Sequence, residues 1–394
     1  MRPDVLRFVL LLGLLVVGGP LAIDMYLPAL PAMAAGLGAS VEAIQLTLSA
    51  YFVALGLGQL VYGPWSDAVG RRVPIAAGLA VFAAGSVACA LAPTVDWLVA
   101  ARVVQALGAA SLMVVTRAVV RDRFTGAAAT QVMATLMLVI AVSPMLAPLL
   151  GAGLAALAGW RAIFAVLGAL GIGALVLALV ALPETIRERQ PVRPRALARD
   201  GSMLLRDRTF MVLTLVNGAG MASFFVFLAS AAFVYTEQFG LSPTGFSVAF
   251  AINAVGFFAA SQVAAPLGAR VGLARMVRLA TLGFAAASVG TFALSATLGA
   301  TLPLVTAGLF FTNACLGLVI PTSMVLALEP HGRVAGLASS LGGTIQMVVG
   351  GLAVALAGPA FDGTALPMLG AVAACGVAAA GLAALGSREA AVAA

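Results

Sequence analysis

Long, uninterrupted apolar runs constrain the fold of this chain more than any other feature. Of its 394 residues, 62% are hydrophobic and only 9% are charged, whereas a soluble domain carries about 25% charged residues. A helix needs about 20 apolar residues to cross a bilayer, and these runs lack the alternation of a membrane β-barrel. The sequence therefore predicts an all-α polytopic membrane protein.

Charged joints and joints rich in glycine and proline divide the runs into twelve predicted spans. The first run follows Arg2 and Arg7, as a signal peptide would, but it exceeds the apolar core of about 7–15 residues typical of such peptides. We interpret it as an uncleaved first helix. The predicted spans cover residues 6–35, 42–64, 73–92, 96–116, 127–151, 161–182, 209–235, 244–267, 276–297, 301–328, 334–357 and 365–386.

The distribution of arginine predicts the orientation of these spans. The chain has no lysine, so all 21 basic residues are arginines. With an inside N-terminus, only Arg102 and Arg161 lie outside the cytoplasmic segments, which agrees with the positive-inside rule. We therefore predict a multi-pass membrane protein with both termini in the cytoplasm. The predicted cytoplasmic arginines are Arg2, Arg7, Arg71, Arg72, Arg117, Arg121, Arg123, Arg187, Arg189, Arg193, Arg195, Arg199, Arg206, Arg208, Arg270, Arg275, Arg278, Arg333 and Arg388.

A charged central segment separates the spans into two sets of six. It is rich in arginine and contains four acids and three prolines between residues 183 and 208. We predict an N-terminal six-helix bundle over 1–183, a cytoplasmic arginine-rich linker over 184–208 and a C-terminal six-helix bundle over 209–394. The linker arginines are interpreted as topology determinants, and contact with anionic lipid headgroups is the alternative.

A single acid, Asp24, stands in the uncharged run from residue 8 to residue 37. A charged carboxylate at the centre of a membrane helix costs at least about 2.5–3.5 kcal/mol, and such residues commonly form substrate or proton sites. Placement among the headgroups, at the end of a shorter helix, is the alternative. Arg102 lies about two turns inside the fourth run and is a natural electrostatic partner for Asp24. The sequence leaves direct contact between them open.

The segment between the second and third spans predicts a gate. Gly63 and Gly70 permit a tight turn, and Asp67 can pair with Arg71 or Arg72 or cap the next helix. A charged latch of this kind can differ between two conformations. Topology alone explains the two arginines but requires neither the acid nor the glycines.

These motifs resemble those of the major facilitator superfamily. GPWSDAVGRR, residues 63–72, resembles its signature between spans two and three, with Ala68 where a basic residue is common. Arg102-Val-Val-Gln105 resembles its Arg-x-x-Gln motif, which implies a role near the proton pathway. Pro144 and Pro148 bend the fifth span and resemble the Gly-Pro motif of antiporters, with Ala147 preceding Pro148.

The order of further motifs resembles the bicyclomycin-resistance (Bcr/CflA) branch of drug:proton antiporters. AIDMYLPALP, RAVVRD, GWRAIF, LPET and AGLASS all fit that branch. The resemblance implies two pseudo-symmetric six-helix bundles and export of small, largely apolar drugs or antibiotics in exchange for protons by alternating access. A narrow-specificity proton-coupled metabolite exporter is the alternative on the same fold, and a non-transporting receptor or scaffold is the third hypothesis.

This interpretation assigns three groups of site residues. Proton coupling is assigned to Asp24 and Arg102. Substrate binding is assigned to aromatic and polar residues, namely Met25, Tyr26, Asn217, Phe224, Phe225, Tyr235 and Asn253. Gating is assigned to Gly63, Asp67, Gly70, Arg71, Arg72, Arg121, Pro144 and Pro148.

No sequence pattern indicates an enzyme. The chain has neither a catalytic triad nor a metal-ligating cluster, and the absence of lysine excludes a Walker ATP site within it. The only histidine, His331, is expected to be a solvated residue of a cytoplasmic turn. We expect no cofactor, metal or nucleic-acid partner. A small-molecule substrate, protons and the lipid bilayer are the expected partners of a monomer.

Overall fold

The structure, a computed structural model, describes residues 3–124, 126–186 and 194–390. Within these ranges, the described side chains exclude those of residues 3–7, 126–131, 133–135, 137–142, 333 and 386–390. Several predicted cytoplasmic arginines lie outside the described residues, namely Arg2, Arg187, Arg189 and Arg193. For three others, the side chain lies outside the description, namely Arg7, Arg333 and Arg388.

All regular elements of the described residues are helical, as a chain in lipid requires, because a helix satisfies its backbone hydrogen bonds internally. Short 3₁₀ or π turns extend several of them. The α-helices are α1 Pro3–Val16, α2 Gly18–Asp24, α3 Leu30–Leu37, α4 Val41–Val69, α5 Arg72–Ala90, α6 Val95–Arg123, α7 Gly126–Ala158, α8 Trp160–Ala181, α9 Pro194–Arg206, α10 Arg208–Phe233, α11 Pro243–Val271, α12 Leu273–Leu298, α13 Leu302–Leu328, α14 Ala335–Ala357 and α15 Ala365–Ala390.

Eleven segments of the described residues are long and apolar enough to cross a membrane. The predicted fifth span, 127–151, lies within α7. The C-terminal part of α7, Ser143–Ala158, is a shorter apolar helix. The all-helical membrane fold predicted from the apolar runs is therefore confirmed.

The first span is a broken helix. Its apolar stretch, Phe8–Leu37, contains the end of α1, then α2, a 3₁₀ turn over Leu27–Ala29, and α3. The break follows Asp24, the last residue of α2, and Pro28 lies inside the 3₁₀ turn. The sequence predicted one span here without this interruption. An α-helix requires each backbone amide to donate to the carbonyl four residues earlier, and this pattern is interrupted after α2. Asp24 therefore lies at a helix end within the apolar run.

The helices fall into two compact units. Unit 1 comprises Met1–Ala39 and Ala50–Pro194, and unit 2 comprises Ser40–Ser49 and Arg195–Ala394. In unit 1, α5 packs against α6 and α8, while α2 packs against α6, α7 and α8. In unit 2, α10 packs against α13, α14 and α15, and α13 also packs against α11 and α12. The bundle and linker boundaries at 183/184 and 208/209 stay a prediction.

Close packing of α5 and α6 positions the polar residues of unit 1. A Cβ atom on Gly108 would lie 2.3 Å from the backbone nitrogen of Phe82, and one on Gly85 would lie 2.4 Å from that of Gln105. Small residues permit such close approach of helices within a membrane. The contact brings Gln105 of α6 beside Ser86 of α5, and Gln105 Nε2 donates to Ser86 Oγ at 2.8 Å.

Candidate transport and gating sites

Asp24 is buried in unit 1. It is only 4% exposed, and its Oδ2 accepts a hydrogen bond from Ser143 Oγ of α7 at 3.3 Å. The contact joins the end of α2 to a helix 119 residues further along the chain. Asp24 is thus enclosed by protein, whereas its depth in the membrane stays a prediction.

The break after Asp24 packs directly on α7. An added Cβ on Gly151 would lie 1.6 Å from the carbonyl oxygen of Met25 and 2.6 Å from its carbonyl carbon. No side chain other than hydrogen fits this contact. The segment of α7 that contains Pro144 and Pro148, which were assigned to gating, therefore contacts both sides of the break, through Ser143 and Gly151.

Arg102 is completely buried in the same unit. Its Nη1 donates to the carbonyl oxygen of Ala22 at 2.9 Å and to the side-chain oxygen of Gln105. Ala22 belongs to α2 and precedes Asp24 by two residues. Arg102 therefore holds the helix that carries Asp24 through its backbone, and the described hydrogen bonds do not join the guanidinium to the Asp24 carboxylate.

Aromatic rings surround the Arg102 guanidinium. Its Cζ lies 4.4 Å from the ring centroid of Tyr26, 4.1 Å from that of Tyr51 and 5.9 Å from that of Phe164. A desolvated cation over an aromatic face gains about 2 kcal/mol or more, which offsets part of the cost of burying the charge. Within the described residues, Nε and Nη2 of Arg102 have no hydrogen-bond partner. The guanidinium thus retains two free donors inside the unit.

A second polar centre of unit 1 is built around Arg71, between α4 and α5. Arg71 forms ion pairs with Asp67 at 2.5 Å and with Asp122 at 2.7 Å, and its Nη1 also donates to Ser66 Oγ at 2.8 Å. The planar guanidinium can serve these partners together because its donors point along fixed, divergent directions. The predicted pairing of Asp67 with an arginine of the turn is thus present, through Arg71.

The segment after α8 completes this cluster. Glu184 accepts hydrogen bonds from the backbone nitrogens of Arg71 at 2.9 Å and Arg72 at 3.3 Å, where α5 begins. Thr185 Oγ1 donates to Asp122 Oδ2 at 3.2 Å. Partial burial would raise the pKa of Glu184, but the backbone donors outweigh it and hold that pKa below its usual value. A carboxylate at a helix N-terminus is also favoured by the helix dipole.

Gly70 makes room for this carboxylate. It has a φ of 103°, a conformation that a residue with a side chain rarely adopts, and an added Cβ would lie 2.3 Å from Glu184 Oε2. We define the gate cluster as Asp67, Arg71, Asp122, Glu184 and Thr185, all in unit 1.

The structure brings some predicted gating residues to the gate cluster and leaves others apart. The carbonyl of Gly63 accepts from Ser66 Oγ, and the Arg72 guanidinium donates to the carbonyl of Leu179. Arg121 is exposed in the last turn of α6, whereas its neighbour Asp122 joins the cluster. The remaining two, Pro144 and Pro148, lie inside α7.

The predicted substrate residues are distributed over both units. In unit 1, Met25 and Tyr26 are buried at the break of the first span. In unit 2, Phe224 and Phe225 contact each other, with ring centroids 6.2 Å apart. The remaining three are Asn217, Tyr235, whose hydroxyl lies 3.2 Å from Thr306 Oγ1, and Asn253, whose Nδ2 donates to the Ala249 carbonyl.

A small cavity of unit 2 is lined by one of these residues. Asn217 lines it together with Gln346, whose Nε2 donates to Asn217 Oδ1 at 3.0 Å. The cavity measures about 30 Å³, which holds about two water molecules at most. Pockets for drug-sized ligands measure roughly 300–1,000 Å³. The cavity is therefore a polar recess and not, by itself, a drug site.

His331 corrects the expectation of a solvated loop residue. Its side chain is only 10% exposed, and its Nε2 lies 3.4 Å from Asp207 Oδ2. Its ring also meets Phe210 edge to face, with centroids 5.5 Å apart. Asp207 is the N-cap of α10 and accepts from the Phe210 backbone nitrogen. The turn before α14 is thus attached to the start of α10.

The sequence and the fold match known transporters. The family model of the Major Facilitator Superfamily matches residues 12–355. The chain belongs to the major facilitator superfamily. As a member of this superfamily, it is a transporter and not an enzyme.

Individual relatives agree with the predicted branch of the superfamily. The chain is 30% identical over 370 residues to a bicyclomycin resistance protein homolog of Haemophilus influenzae, covering 93% of each protein. It is 38% identical over 239 residues to a chloramphenicol resistance protein of Pseudomonas aeruginosa, covering 60% of this chain and 56% of that protein. The resemblance to drug:proton antiporters of the superfamily is confirmed.

The fold of this major facilitator protein also matches a solved structure. The crystal structure of a D-xylose–proton symporter has a TM-score of 0.74 with it, at 17% identity, and covers 97% of each chain. At this identity the match concerns the fold alone.

Reasoning from sequence missed three members of the gate cluster and two partners of the buried charges. Asp122, Glu184 and Thr185 were noticed only within motifs of the family, and Ser143 and Tyr51 were not assigned to the site. Their charge could have identified them, because Asp122 and Glu184 are two of only 14 acids in the chain. Both follow a predicted span that ends on the same side of the membrane as Arg71.

Proposed function

We propose that this protein exports small, largely apolar drugs or antibiotics in exchange for protons by alternating access, with Asp24 as the proton-carrying group. The observation that carries the proposal is a buried carboxylate at the break of a membrane helix, hydrogen-bonded by one hydroxyl. Charges within the membrane are energetically costly and are retained mainly at ion and substrate pathways. The names of the two relatives, which refer to bicyclomycin and chloramphenicol resistance, support the substrate class.

The coupling step would act on α2, which carries Asp24 and accepts a hydrogen bond from Arg102 of α6. Arg102 holds the carbonyl of Ala22, and Ser143 holds the carboxyl of Asp24. A change of charge on Asp24 alters its attraction to the guanidinium and its need for hydrogen-bond donors. Among the described residues, Nε and Nη2 of Arg102 have no hydrogen-bond partner, and their three N–H groups are the cationic donors that a deprotonated Asp24 would approach. Proton binding and release would thereby move α2 relative to α6 and α7.

The substrate would contact aromatic and polar residues. The rings of Phe224 and Phe225 and the amide of Asn217 supply the mixture of apolar surface and few polar groups that is typical of ligand sites. Sites dominated by large apolar side chains tolerate varied ligands, because apolar contacts have little directional requirement. We assign Met25, Tyr26, Tyr235 and Asn253 to the same role.

Gating is assigned to the gate cluster and to the turn around it. Its ion pairs bind Asp67 and Asp122 to one guanidinium. Hydrogen bonds attach the segment after α8 to the backbone at the start of α5 and to Asp122, so that α4, α6 and α8 are held together at one end. Breaking these contacts would allow these ends to separate during alternating access. We further propose that the protein works as a monomer in the bacterial inner membrane, with both termini in the cytoplasm.

Proteoliposomes with an imposed pH gradient test the proposal. We expect the purified protein to transport bicyclomycin or chloramphenicol against its gradient, in proportion to the imposed ΔpH. The Asp24→Asn variant should lose this pH-driven accumulation but keep downhill exchange of labelled substrate, because Asn preserves the shape of the side chain. The matched control is Asp96→Asn, which removes an exposed acid from the first turn of α6 and should transport normally.

Three outcomes would contradict parts of this proposal. If Asp24→Asn kept the ΔpH dependence of the original protein, Asp24 would not be the proton carrier. If transport occurred without any ΔpH dependence, proton exchange would be wrong. If the protein exported a single metabolite but no antibiotic or other drug, it would be the narrow-specificity exporter and not a drug exporter.

A further inference from the structure

The linker helix α9 carries a stripe of arginines on one side. Arg195, Arg199 and Arg206 are spaced by four and seven residues, which places them within about 40° of one another on an α-helix. All three are exposed, and the side chain of Arg199 is 72% exposed. We call these three residues the arginine stripe.

The opposite side of α9 is fixed to unit 2. Leu204 lies about 180° from the arginine stripe and is completely buried against Phe210, Ala327 and Ala338. These residues belong to α10, α13 and α14, so α9 packs on the ends of three membrane helices. The stripe therefore points away from the unit, and apolar packing holds its direction.

The position of α9 places the stripe at the membrane surface. A single residue, Asp207, separates the last residue of α9 from the apolar helix that begins at Arg208. On the two flanks of the stripe, Met203 is 40% and Leu205 51% exposed. An amphipathic helix with cationic side chains and exposed apolar flanks, directly beside a membrane span, is typical of an interfacial segment.

The acids near the stripe leave its positive charge in excess. Asp200 is paired with Arg199 at 3.0 Å. Asp207 is engaged by the Phe210 backbone nitrogen and by His331. Neither acid pairs with Arg195 or Arg206 among the described contacts. The surface thus presents guanidinium groups that match the phosphates of anionic lipids in charge and geometry.

We propose that the arginine stripe of α9 is a binding surface for the headgroups of anionic phospholipids. The lipid phosphates would bind the guanidinium groups, and the acyl chains would contact Leu205 or Met203. This surface shares no residue with the proton-coupling pair or the gate cluster and would anchor the linker helix to the bilayer.

Spin-labelled lipids test this inference on the full chain in phosphatidylcholine vesicles. We expect the lipid shell of the protein to prefer spin-labelled phosphatidylglycerol over spin-labelled phosphatidylcholine by about fivefold or more, because one arginine near an anionic lipid is worth roughly 1 kcal/mol. The triple substitution Arg195→Gln, Arg199→Gln and Arg206→Gln should largely abolish this preference for phosphatidylglycerol. Raising the salt to about 1 M should do the same to the original protein.

Two matched variants make the experiment specific. The triple variant Arg270→Gln, Arg275→Gln and Arg278→Gln removes the same charge from other exposed positions and should keep most of the preference. Replacement of the stripe by three lysines should also keep it, because lysine still binds phosphate as a point charge. The inference is overturned if the original protein shows no preference, if the stripe variant keeps it, or if the control variant loses as much. A preference that does not depend on salt would also overturn the inference, and this measurement needs only the original protein.

Discussion

Replacement of Gly151 by alanine tests the packing that supports the buried carboxylate. The added methyl group would lie 1.6 Å from the carbonyl oxygen of Met25. To restore a separation of 3.0 Å, the two backbones must move apart by about 1.4 Å. No side chain can rotate away, because the colliding atoms belong to the main chain. The shift falls on the residue after Asp24 and on the helix that carries Ser143.

The size of the effect follows from a comparison with Gly153. Both glycines lie in α7, and a Cβ on Gly153 meets nothing within 4 Å. Each Gly→Ala change gains up to about 1 kcal/mol of helix propensity, so this gain cancels between the two variants. Overpacking typically costs about 1–3 kcal/mol, and we expect Gly151→Ala to fall at or above the upper end.

Thermal unfolding in detergent and transport in proteoliposomes measure the two consequences. Gly153→Ala should match the original protein in both assays. Gly151→Ala should unfold at a clearly lower temperature, and its surviving fraction should show weaker coupling to ΔpH, because the Ser143–Asp24 contact is displaced. Equal stability and equal coupling of the two alanine variants would refute the proposed role of this contact.

Three further predictions concern the ends of the helices. Arg71→Lys should destabilise the protein by about 1–3 kcal/mol in denaturation, because an ammonium cannot reproduce the guanidinium contacts with two acids; an unchanged midpoint would contradict this. The backbone donors hold the pKa of Glu184 below its ordinary value in the folded protein, so its stabilisation is present above the ordinary pKa and disappears as the pH falls through the folded pKa. Acid unfolding of Glu184→Gln should therefore be less steep than that of the original protein, and equal slopes would be the contrary result. For His331 and Asp207, whose side chains lie 3.4 Å apart, a double-mutant cycle with His331→Gln and Asp207→Asn should give a coupling of about 0.2–1 kcal/mol; a coupling of zero would argue against a stabilising contact between them.

Much of the fold could be predicted from the sequence, because a bilayer imposes a local criterion. Each span must be long and apolar enough to cross it, and each such run can be recognised without knowing its neighbours. The same criterion singled out Asp24 and Arg102, since a charge within an apolar run is conspicuous in one dimension. The motif at residues 63–72 likewise identified Arg71 and Asp67, which are four residues apart and therefore adjacent.

The tertiary structure decided which groups these residues contact. Arg102 holds the carbonyl of Ala22, 80 residues away, and Asp24 is held by Ser143, 119 residues away. The sequence suggested no such partners, because pairing across helices depends on their packing and not on spacing along the chain. Glu184 reached the start of α5 for the same reason, across 113 residues. Hydropathy determined that this chain enters a membrane and where its buried charges lie, and only the packing of its helices determined which atoms hold those charges.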